Sequence, residues 1–181
     1  LARAVYPGAR IDAFEPLASH HPAFKRDTAS LGDVHLHHTA LGAAPATLEM
    51  NVMDFSDASS FLAMNAAASA ELNIKPARRE SVPVVRLDDY RRERNLPPPD
   101  LIKLDVQGYE LEVLRGAPDC LRHARAILCE VSFREYYDGQ PLFHDIAAFL
   151  GTHGFGLQAL GENTPLGAII GQTDALFLKL K

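Results

Sequence analysis

The sequence contains few cysteines and no long apolar segment. Cys120 and Cys129 are the two thiols among 181 residues, and their spacing matches neither a metal-binding nor a redox motif. They are therefore predicted to be buried structural thiols of a protein kept in a reducing compartment. No apolar run approaches the roughly 20 residues of a membrane-spanning helix, and no signal peptide opens the chain. These absences predict a cytoplasmic protein without a membrane span.

An excess of basic charge is also absent. The formal net charge is −5 and the pI is about 5.9, so the chain has no electrostatic footprint for nucleic acid or anionic membranes. Its 47% hydrophobic and 23% charged residues are typical of a globular protein. A length of 181 residues predicts one domain spanning 1–181. Composition does not predict the oligomeric state.

The amino-terminal segment has the pattern of a helix end. The chain starts at Leu1, and LARAVYPGAR (1–10) is typical of a last helical turn followed by a Pro-Gly stop. A helix end with no helix before it indicates a fragment, so we expect that an upstream segment is missing.

Periodicity predicts alternating strands and helices. Residues 56–73 are predicted as a loop followed by a helix, and 88–96 as a charged helix ended by three prolines. The next helices are predicted over 110–121 and from Pro141 to a left-handed cap at Gly154. Strands are predicted at 11–16, 34–41, 46–53 (an edge or hairpin strand), 82–87, 100–106 and 126–133, and as a pair within the C-terminal tail.

The order of these elements predicts the fold. Strands that alternate with helices favour a Rossmann-like, doubly wound, mostly parallel α/β sheet. The mostly apolar run at 126–133 is typical of a strand buried on both faces. The two last strands are joined by a polar loop too irregular to be a crossover helix, so they are predicted to pair antiparallel at one edge.

Ligands of such sheets bind beyond the carboxyl ends of the strands, which directs attention to strand-end acids. Glu15 could accept hydrogen bonds from two ribose hydroxyls, or it could be a solvated turn residue. Asp105 could act in a site or cap the following helix. Glu130 lies inside an apolar strand, so it needs a partner or a cavity.

Several motifs in a fixed order resemble the FkbM family of S-adenosylmethionine-dependent methyltransferases. The longest run, IKLDVQGYELEVLRGA, is the most specific. Many family members have a glutamate where Gln107 stands, so an acid role at this position is not expected here. The resemblance rests on FEP (14–16), SSFL (59–62), RLDDY (86–90), IKLDVQGYELEVLRGA (102–117) and EVSFREYYDGQPLFHDIAAFLGTHGF (130–155).

The resemblance also implies a cofactor and its contacts. S-adenosylmethionine would bind with its ribose on Glu15, its adenine beside the end of the next strand, and its sulfonium near the LDVQG turn. The family's glycine-rich turn after a first central strand has no counterpart here, so that strand and turn are expected in roughly 15–40 upstream residues. The implied cofactor-binding residues are Glu15, Pro16, Ala40, Leu41, Ser59, Ser60, Asp105 and Val106.

The chemistry that follows is transfer of a methyl group to a hydroxyl group. Such a displacement must align its two partners and remove the hydroxyl proton. Asp105 and Glu130 are the candidate catalytic residues, and Lys103 is expected to neutralise an acid structurally. The acceptor is predicted to be a small molecule or glycan, with a sugar hydroxyl or a secondary metabolite favoured by family habit. The alternatives are a nicotinamide-dependent oxidoreductase and a catalytically inactive fragment or binding module of the same fold.

Two further clusters have competing interpretations. His35 and His37 share one face of a predicted strand, but no third ligand stands at useful spacing, so no metal site is predicted. Tyr136 and Tyr137 follow a strand end. They could form an aromatic wall beside a hydroxylated acceptor, or they could pack against the next helix.

Overall fold

A computed structural model describes residues 2–166 and 169–180 of the chain, which form a mixed α/β fold. The first part of the chain contributes small strands separated by short helices. Its elements are α1 (Ala2–Val5), β1 (Ile11–Phe14), α2 (His21–Thr28), β2 (Val34–His37), β3 (Ala40–Leu41), β4 (Ala46–Met53), α3 (Ala66–Leu72), β5 (Pro76–Val85) and α4 (Leu87–Glu93).

The second part of the chain alternates strands and helices and ends in a long hairpin. The hairpin strands β8 and β9 are longer than the predicted pair, and their antiparallel pairing confirms the prediction for the tail. The elements are β6 (Leu101–Leu104), α5 (Glu110–Arg115), α6 (Pro118–His123), β7 (Ala126–Ser132), α7 (Phe143–Thr152), β8 (Phe155–Leu166) and β9 (Ile169–Lys179).

The strands form three hydrogen-bonded groups. β1 pairs in parallel with β2, β5 lies between β3 and β4, and the third group has the order β6-β7-β9-β8. Three pairings are parallel and three are antiparallel. The prediction of a mostly parallel sheet is therefore not confirmed for the described residues, because β4 pairs antiparallel with β5, and β9 pairs antiparallel with β7 as well as with β8.

The predicted strand 34–41 is two strands. β2 pairs with β1, whereas Ala40 and Leu41 of β3 pair with Val84 and Val85 of β5. Thr39 lies at the break, and its hydroxyl donates to the carbonyl of Pro83 (2.9 Å). The chain thus passes from one group of strands to the next without a helix between them.

The predicted helix 110–121 is likewise two helices. Pro118 has no backbone N–H and cannot continue α5. Just before it, a Cβ at Gly116 would lie 2.0 Å from the carbonyl oxygen of Gly42, so this close approach requires a glycine. The second helix, α6, starts at Pro118. Its first amides are capped by the buried carboxylate of Asp88, which accepts from the backbone nitrogens of Asp119 (2.7 Å) and Cys120 (2.9 Å).

Helix α7 starts two residues later than predicted. Leu142 is the residue before its first turn, so Pro141 precedes the helix rather than opening it. Its carboxyl end agrees with the prediction, since Gly154 has the positive φ of a left-handed cap (78°). The side chains of Ile146 and Leu150 are fully buried against the sheet.

The main core lies between the third group of strands and helices α5 to α7. In β6 and β7 the buried residues alternate with more exposed ones, so only one face is fully buried. The prediction that β7 is buried on both faces is therefore wrong, because the other face borders a cavity. The core side chains include Leu104, Leu114, Leu121, Ile127, Cys129, Leu150 and Phe177. Cys120 and Cys129 are buried free thiols, as predicted.

Within the described residues, no helix combines the length and the apolar character that crossing a membrane requires.

Candidate active site

A cavity of about 2180 Å³ separates β1 from β6. In the described part of the chain, β1 pairs with β2 alone and β6 with β7 alone, so each strand has one edge without a strand partner. All residues of both strands line the cavity. We call this space the strand gap. Of the predicted site residues, those that line the cavity are Glu15, Pro16, Ala40, Leu41, Ser59, Asp105, Val106 and Glu130.

Asp105 lies at the carboxyl end of β6 and is half exposed. Its Oδ2 accepts from the ammonium of Lys103 (2.9 Å), and its Oδ1 accepts from the side-chain amide of Gln107 (2.9 Å). The predicted structural role of Lys103 is confirmed by this ion pair. Asp105 does not cap α5, since the residue before this helix is Tyr109 and no side chain caps it. The carboxylate is directed toward the site instead.

Glu130 lies near the end of β7, beside Asp105. Its Oε2 accepts from two amides, Nε2 of Gln107 and Nε2 of Gln172, each at 3.2 Å. Its Oε1 has no hydrogen-bond partner among the described residues. The residue thus has both of the features that the sequence required, namely partners and a cavity.

The electrostatics around Glu130 favour its neutral form. Burial raises the pKa of this carboxyl to about 7, and the negative charges of Asp105, Glu110 and Asp174 act in the same direction. Lys103 opposes them. A carboxyl group with a pKa near 7 can both accept and release a proton at neutral pH, which is the property that a general base needs.

The turn between β6 and α5 has an unusual backbone conformation. Gln107 and Gly108 both have positive φ (52° and 90°), which is uncommon for a residue with a Cβ such as Gln107. Oε1 of the buried Glu110 accepts from the backbone nitrogens of Val106 (3.1 Å) and Gly108 (3.2 Å). Burial raises the pKa of Glu110. The acids that crowd this turn therefore divide into Glu110, which holds the backbone, and Asp105, which lines the cavity.

Tyr136 and Tyr137 are buried and both also line the cavity, so the two interpretations do not exclude each other. They cluster with Ala68 of α3. Gln140 fixes their loop, because its Oε1 accepts from both tyrosine backbone nitrogens (2.6 and 2.9 Å). Oη of Tyr137 lies 2.8 Å from the carbonyl oxygen of Ala58 and 3.1 Å from Oε1 of Gln107. The loop therefore supports the turn after β6.

Glu15 occupies the opposite side of the cavity. It directly follows β1, where its Oε1 accepts from the backbone nitrogen of Leu17 (2.7 Å) and its Oε2 lies 3.1 Å from Nδ1 of His20. Nε2 of His21 lies 2.9 Å from its carbonyl oxygen. Since each carboxylate oxygen can accept two hydrogen bonds, Glu15 retains capacity for a ligand.

The two serines have structural partners. Oγ of Ser59 accepts from the backbone nitrogen of Met53 (3.1 Å). Ser60 is buried and lies away from the cavity lining. Its hydroxyl donates to the carbonyl oxygen of Gln107 (2.7 Å) and accepts from the nitrogen of Leu62 (3.0 Å). Ser60 thus holds the turn after β6 from behind.

The histidines of β2 have partners of their own. Nε2 of His37 lies 2.8 Å from Oδ1 of Asp12, and its Nδ1 lies 2.9 Å from the hydroxyl of Tyr90. His35 pairs with Asp33 (2.8 Å). In residues 2–166 and 169–180, no three His, Cys, Asp or Glu side chains are grouped as a metal site would require.

Gln172 and His20 contact the predicted site residues Glu130 and Glu15, yet the sequence did not single them out for these contacts. β9 runs antiparallel to β7, and Gln172 of β9 is paired with Ser132 of β7. This register brings the amide of Gln172 to Glu130. Such register is not visible in a single sequence. The short spacing between Glu15 and His20 was a usable signal, since the intervening proline turns the chain back toward the strand end.

A family model described as the methyltransferase FkbM domain matches residues 2–157. The crystal structure of methyltransferase FkbM from Methylobacillus flagellatus KT superposes with a TM-score of 0.58 at 15% sequence identity. This alignment covers 97% of the present chain and 38% of that chain. At this identity the likeness concerns the fold.

Two curated relatives are methyltransferases. The 2-O-methyltransferase NoeI of Sinorhizobium fredii (strain NBRC 101917 / NGR234) is 45% identical over 60 residues, which are 33% of this chain and 25% of the relative. Methyltransferase 1 of Beauveria bassiana (strain ARSEF 2860) is 31% identical over 127 residues, 63% of this chain and 51% of the relative. The chain thus matches between a quarter and a half of the length of these relatives.

These matches favour methyl transfer over nicotinamide-dependent oxidation. The family model spans most of the chain, and the residues that it covers include the turn after β6, Glu130 and Glu15. The chain belongs to the FkbM methyltransferase family.

Proposed function

We propose that the chain contains the active site of an S-adenosylmethionine-dependent O-methyltransferase in which Glu130 is the general base. The observation that carries this proposal is the asymmetry of the Glu130 carboxylate. Two amides hold Oε2, while Oε1 lacks a partner among the described residues and the residue lines the cavity. A pKa near 7 lets this oxygen take a proton at neutral pH.

The residues on the far side of the cavity suit a nucleoside. Glu15 is held by Leu17 and His20 in an orientation that leaves lone pairs for two ribose hydroxyls. Ala40, which is buried, and Leu41 offer apolar surface to an adenine ring. Val106 lines the cavity beside the acids. When bound, S-adenosylmethionine supplies an electrophilic methyl group.

Asp105 and Glu130 have different proposed roles toward the acceptor. Asp105 is half exposed and fixed by Lys103 and Gln107, so it is suited to orient the acceptor by accepting a hydrogen bond. With S-adenosylmethionine bound, the acceptor oxygen would form its new bond to the methyl carbon as the carbon–sulfur bond breaks, and the sulfur would keep that electron pair and leave as the neutral thioether of S-adenosylhomocysteine. Glu130 would take the hydroxyl proton in the same step. The O–H bond breaks, its electron pair stays on oxygen, and the proton ends on Oε1. Such a positioned base contributes about 10²–10⁴-fold to a rate.

The proposed acceptor is a hydroxyl group of a sugar, a glycan or a secondary metabolite. The name of the relative NoeI, a 2-O-methyltransferase, supports oxygen as the atom that is methylated. A sugar hydroxyl fits an acidic site, because carboxylates are acceptors for its neighbouring hydroxyl groups.

We extend the proposal to the strand gap, which would receive one β-strand. β1 and β6 each have one parallel partner, neither has a second strand partner among the described residues, and both line the cavity. Unpaired strand edges readily accept another strand. Residues encoded before Leu1 would supply it within the same single domain, followed by a glycine-rich turn. An upstream reading frame that carries a stop codon or a polar tail instead would contradict this extension.

The function is tested by assaying methyl transfer. The chain, with any residues encoded upstream, is incubated with S-adenosylmethionine and a panel of hydroxylated sugars and glycosides, and S-adenosylhomocysteine is quantified. We expect turnover that Glu130→Gln lowers at least 10²-fold. Binding of S-adenosylhomocysteine without turnover on any acceptor would favour a binding module, and absence of binding would favour an inactive fragment.

A further inference from the structure

The side-chain amide of Gln107 bridges the two acids of the site. Its Nε2 lies 2.9 Å from Oδ1 of Asp105 and 3.2 Å from Oε2 of Glu130. A carboxamide nitrogen has two hydrogens, so one can be directed to each carboxylate. Both acids thereby receive a donor from the same group. A glutamate at this position would bring a third negative charge instead.

Gln107 is itself held from several directions. Its side-chain Oε1 lies 3.1 Å from Oη of Tyr137, and its backbone carbonyl accepts from the buried hydroxyl of Ser60 (2.7 Å). Its φ of 52° lies in the left-handed region, which costs free energy for a residue other than glycine. A conformation of this kind persists where surrounding groups enforce it, and it turns the amide toward the acids.

Gln172 offers a matched comparison within the same site. Its Nε2 donates to the same oxygen of Glu130 at the same 3.2 Å, and it also lies 3.2 Å from Oγ of Ser132. It makes no hydrogen bond to Asp105 in the described part of the chain. The two glutamines therefore share one contact and differ in the other.

We infer that Gln107 is a positioning residue that couples Asp105 to Glu130 and leaves Oε1 of Glu130 as the atom that accepts the proton. The coupling is a property of the ground state. Its catalytic consequence rests on the proposed function, in which Glu130 is the base. Neither the family match nor the fold assigns this role to the amide.

The direction of the expected effect follows from the charges that face Glu130. These come from the turn after β6, from α5, from β9 and from β6 itself. Removing the amide donor destabilises the ionised carboxylate and raises its pKa further above about 7. A glutamate at position 107 adds a like charge and raises it more. The titratable groups that interact electrostatically with Glu130 are Asp105, Glu110, Asp174, Lys103, Cys129, Tyr136 and Tyr137.

The first arm of the test measures ionisation without an acceptor. Carboxyl ¹³C chemical shifts are followed with pH in wild type, Gln107→Met, Gln107→Glu and Gln172→Met, and circular dichroism verifies the fold of each variant. We expect Gln107→Met to raise the midpoint of Glu130 and to move the Asp105 carboxyl resonance at neutral pH, because both acids lose a donor. Gln172→Met should raise the midpoint of Glu130 and leave the Asp105 resonance in place. An unchanged Glu130 midpoint in folded Gln107→Met, or equal effects of the two methionine variants on the Asp105 resonance, would overturn the coupling.

The second arm measures catalysis. In Gln107→Met, kcat at neutral pH should fall roughly tenfold with KM for the acceptor nearly unchanged, as expected when an outer residue orients a catalytic one. Raising the pH should restore part of the rate, and Gln107→Glu should need a still higher pH. A fall in rate that no pH relieves would overturn the positioning role. If the variants behave as expected in the first arm but wild type methylates no acceptor, the coupling stands, while the positioning role and the proposed function are both contradicted.

Discussion

The two sides of the cavity differ in how firmly the chain holds them. Asp105 and Glu130 stand on β6 and β7, whose inner faces carry the main core, and hydrogen bonds from Gln107 and Gln172 fix their carboxylates. Glu15 follows β1, whose four residues are all only partly buried and whose second edge has no strand partner in the described residues.

This difference indicates where the site is preorganised. Proton transfer requires atoms held to within a few tenths of an ångström, and the acid side has the packing and hydrogen bonds to do so. The side around Glu15, where we propose that the nucleoside binds and which we call the nucleoside side, is held by the short turn from Glu15 to His20 and by β2. A strand in the gap would support β1 on its open edge. We therefore expect substitutions on the acid side to affect turnover and those on the nucleoside side to affect binding.

The largest effect is expected for Glu130→Gln. Turnover should fall at least 10²-fold, because the amide cannot take the proton. The free energy of unfolding should rise in the variant, in contrast to turnover. The pKa of Glu130 is about 7 in the folded chain and about 4.3 when unfolded. The free energy of unfolding of the wild type therefore falls as the pH rises between these values.

Glu130→Gln has no carboxyl group at this position, so its free energy of unfolding does not decrease in this way as the pH rises. At pH 8 it should be more stable than wild type by about 1–2 kcal/mol, after allowance for solvent screening at a partly exposed group, and the gain should shrink toward pH 5. Denaturant unfolding at both pH values measures this. A variant that is less stable at pH 8 would make Glu130 a structural residue rather than a base.

The next effect concerns the scaffold of the acid side. Asp88 is buried and caps α6 through the backbone nitrogens of Asp119 and Cys120. Asp88→Ala should lower the free energy of unfolding by about 2–3 kcal/mol, the range for a lost cap with charge-assisted hydrogen bonds. Asp88→Asn is the matched control and should lose less. Equal stability of wild type and Asp88→Ala would show that the cap contributes nothing.

On the nucleoside side, Glu15→Ala should weaken binding of S-adenosylhomocysteine by about 1.5–3 kcal/mol, which corresponds to the loss of hydrogen bonds to a charged group. The acid side should be unaffected, so the pH dependence of turnover should keep its midpoint. Calorimetric titration measures the affinity. An unchanged dissociation constant would remove Glu15 from the cofactor site.

The smallest effect is expected for Asp105→Asn. Both carboxylate oxygens already have partners, so an asparagine loses the ion pair with Lys103 but can still accept one hydrogen bond. We expect kcat to fall roughly tenfold, with the affinity for cofactor retained. A fall as large as that of Glu130→Gln would assign the proton to Asp105 instead.

The sequence predicted the location of the acids better than their partners. Strand periodicity was enough to put Asp105 and Glu130 at strand ends, and the apolar run around Glu130 required a cavity or a partner. Gln172 could not be identified, because its contact depends on the register of β9 against β7. The break between α5 and α6 had a usable signal in Pro118, whereas the close approach of Gly116 to Gly42, 74 residues earlier in the chain (116 − 42), could not be identified.

The N-terminal part was harder to predict for the same reason. The run 34–41 has a continuous strand pattern, yet its two ends pair with β1 and with β5. Local periodicity cannot tell one strand from two when the division arises from partners distant in the chain. The helix α2 (His21–Thr28) has a weakly apolar sequence and was not predicted.

The pH dependence of methyl transfer tests the central claim most directly. With saturating S-adenosylmethionine and an acceptor from the panel, kcat/KM for the acceptor should rise with pH and level off above a midpoint near 7, the pKa of Glu130. The residual rate of Glu130→Gln should lack this midpoint. A wild-type profile that is flat from pH 5.5 to 8.5, or an identical midpoint in Glu130→Gln, would contradict the assignment of Glu130 as the base.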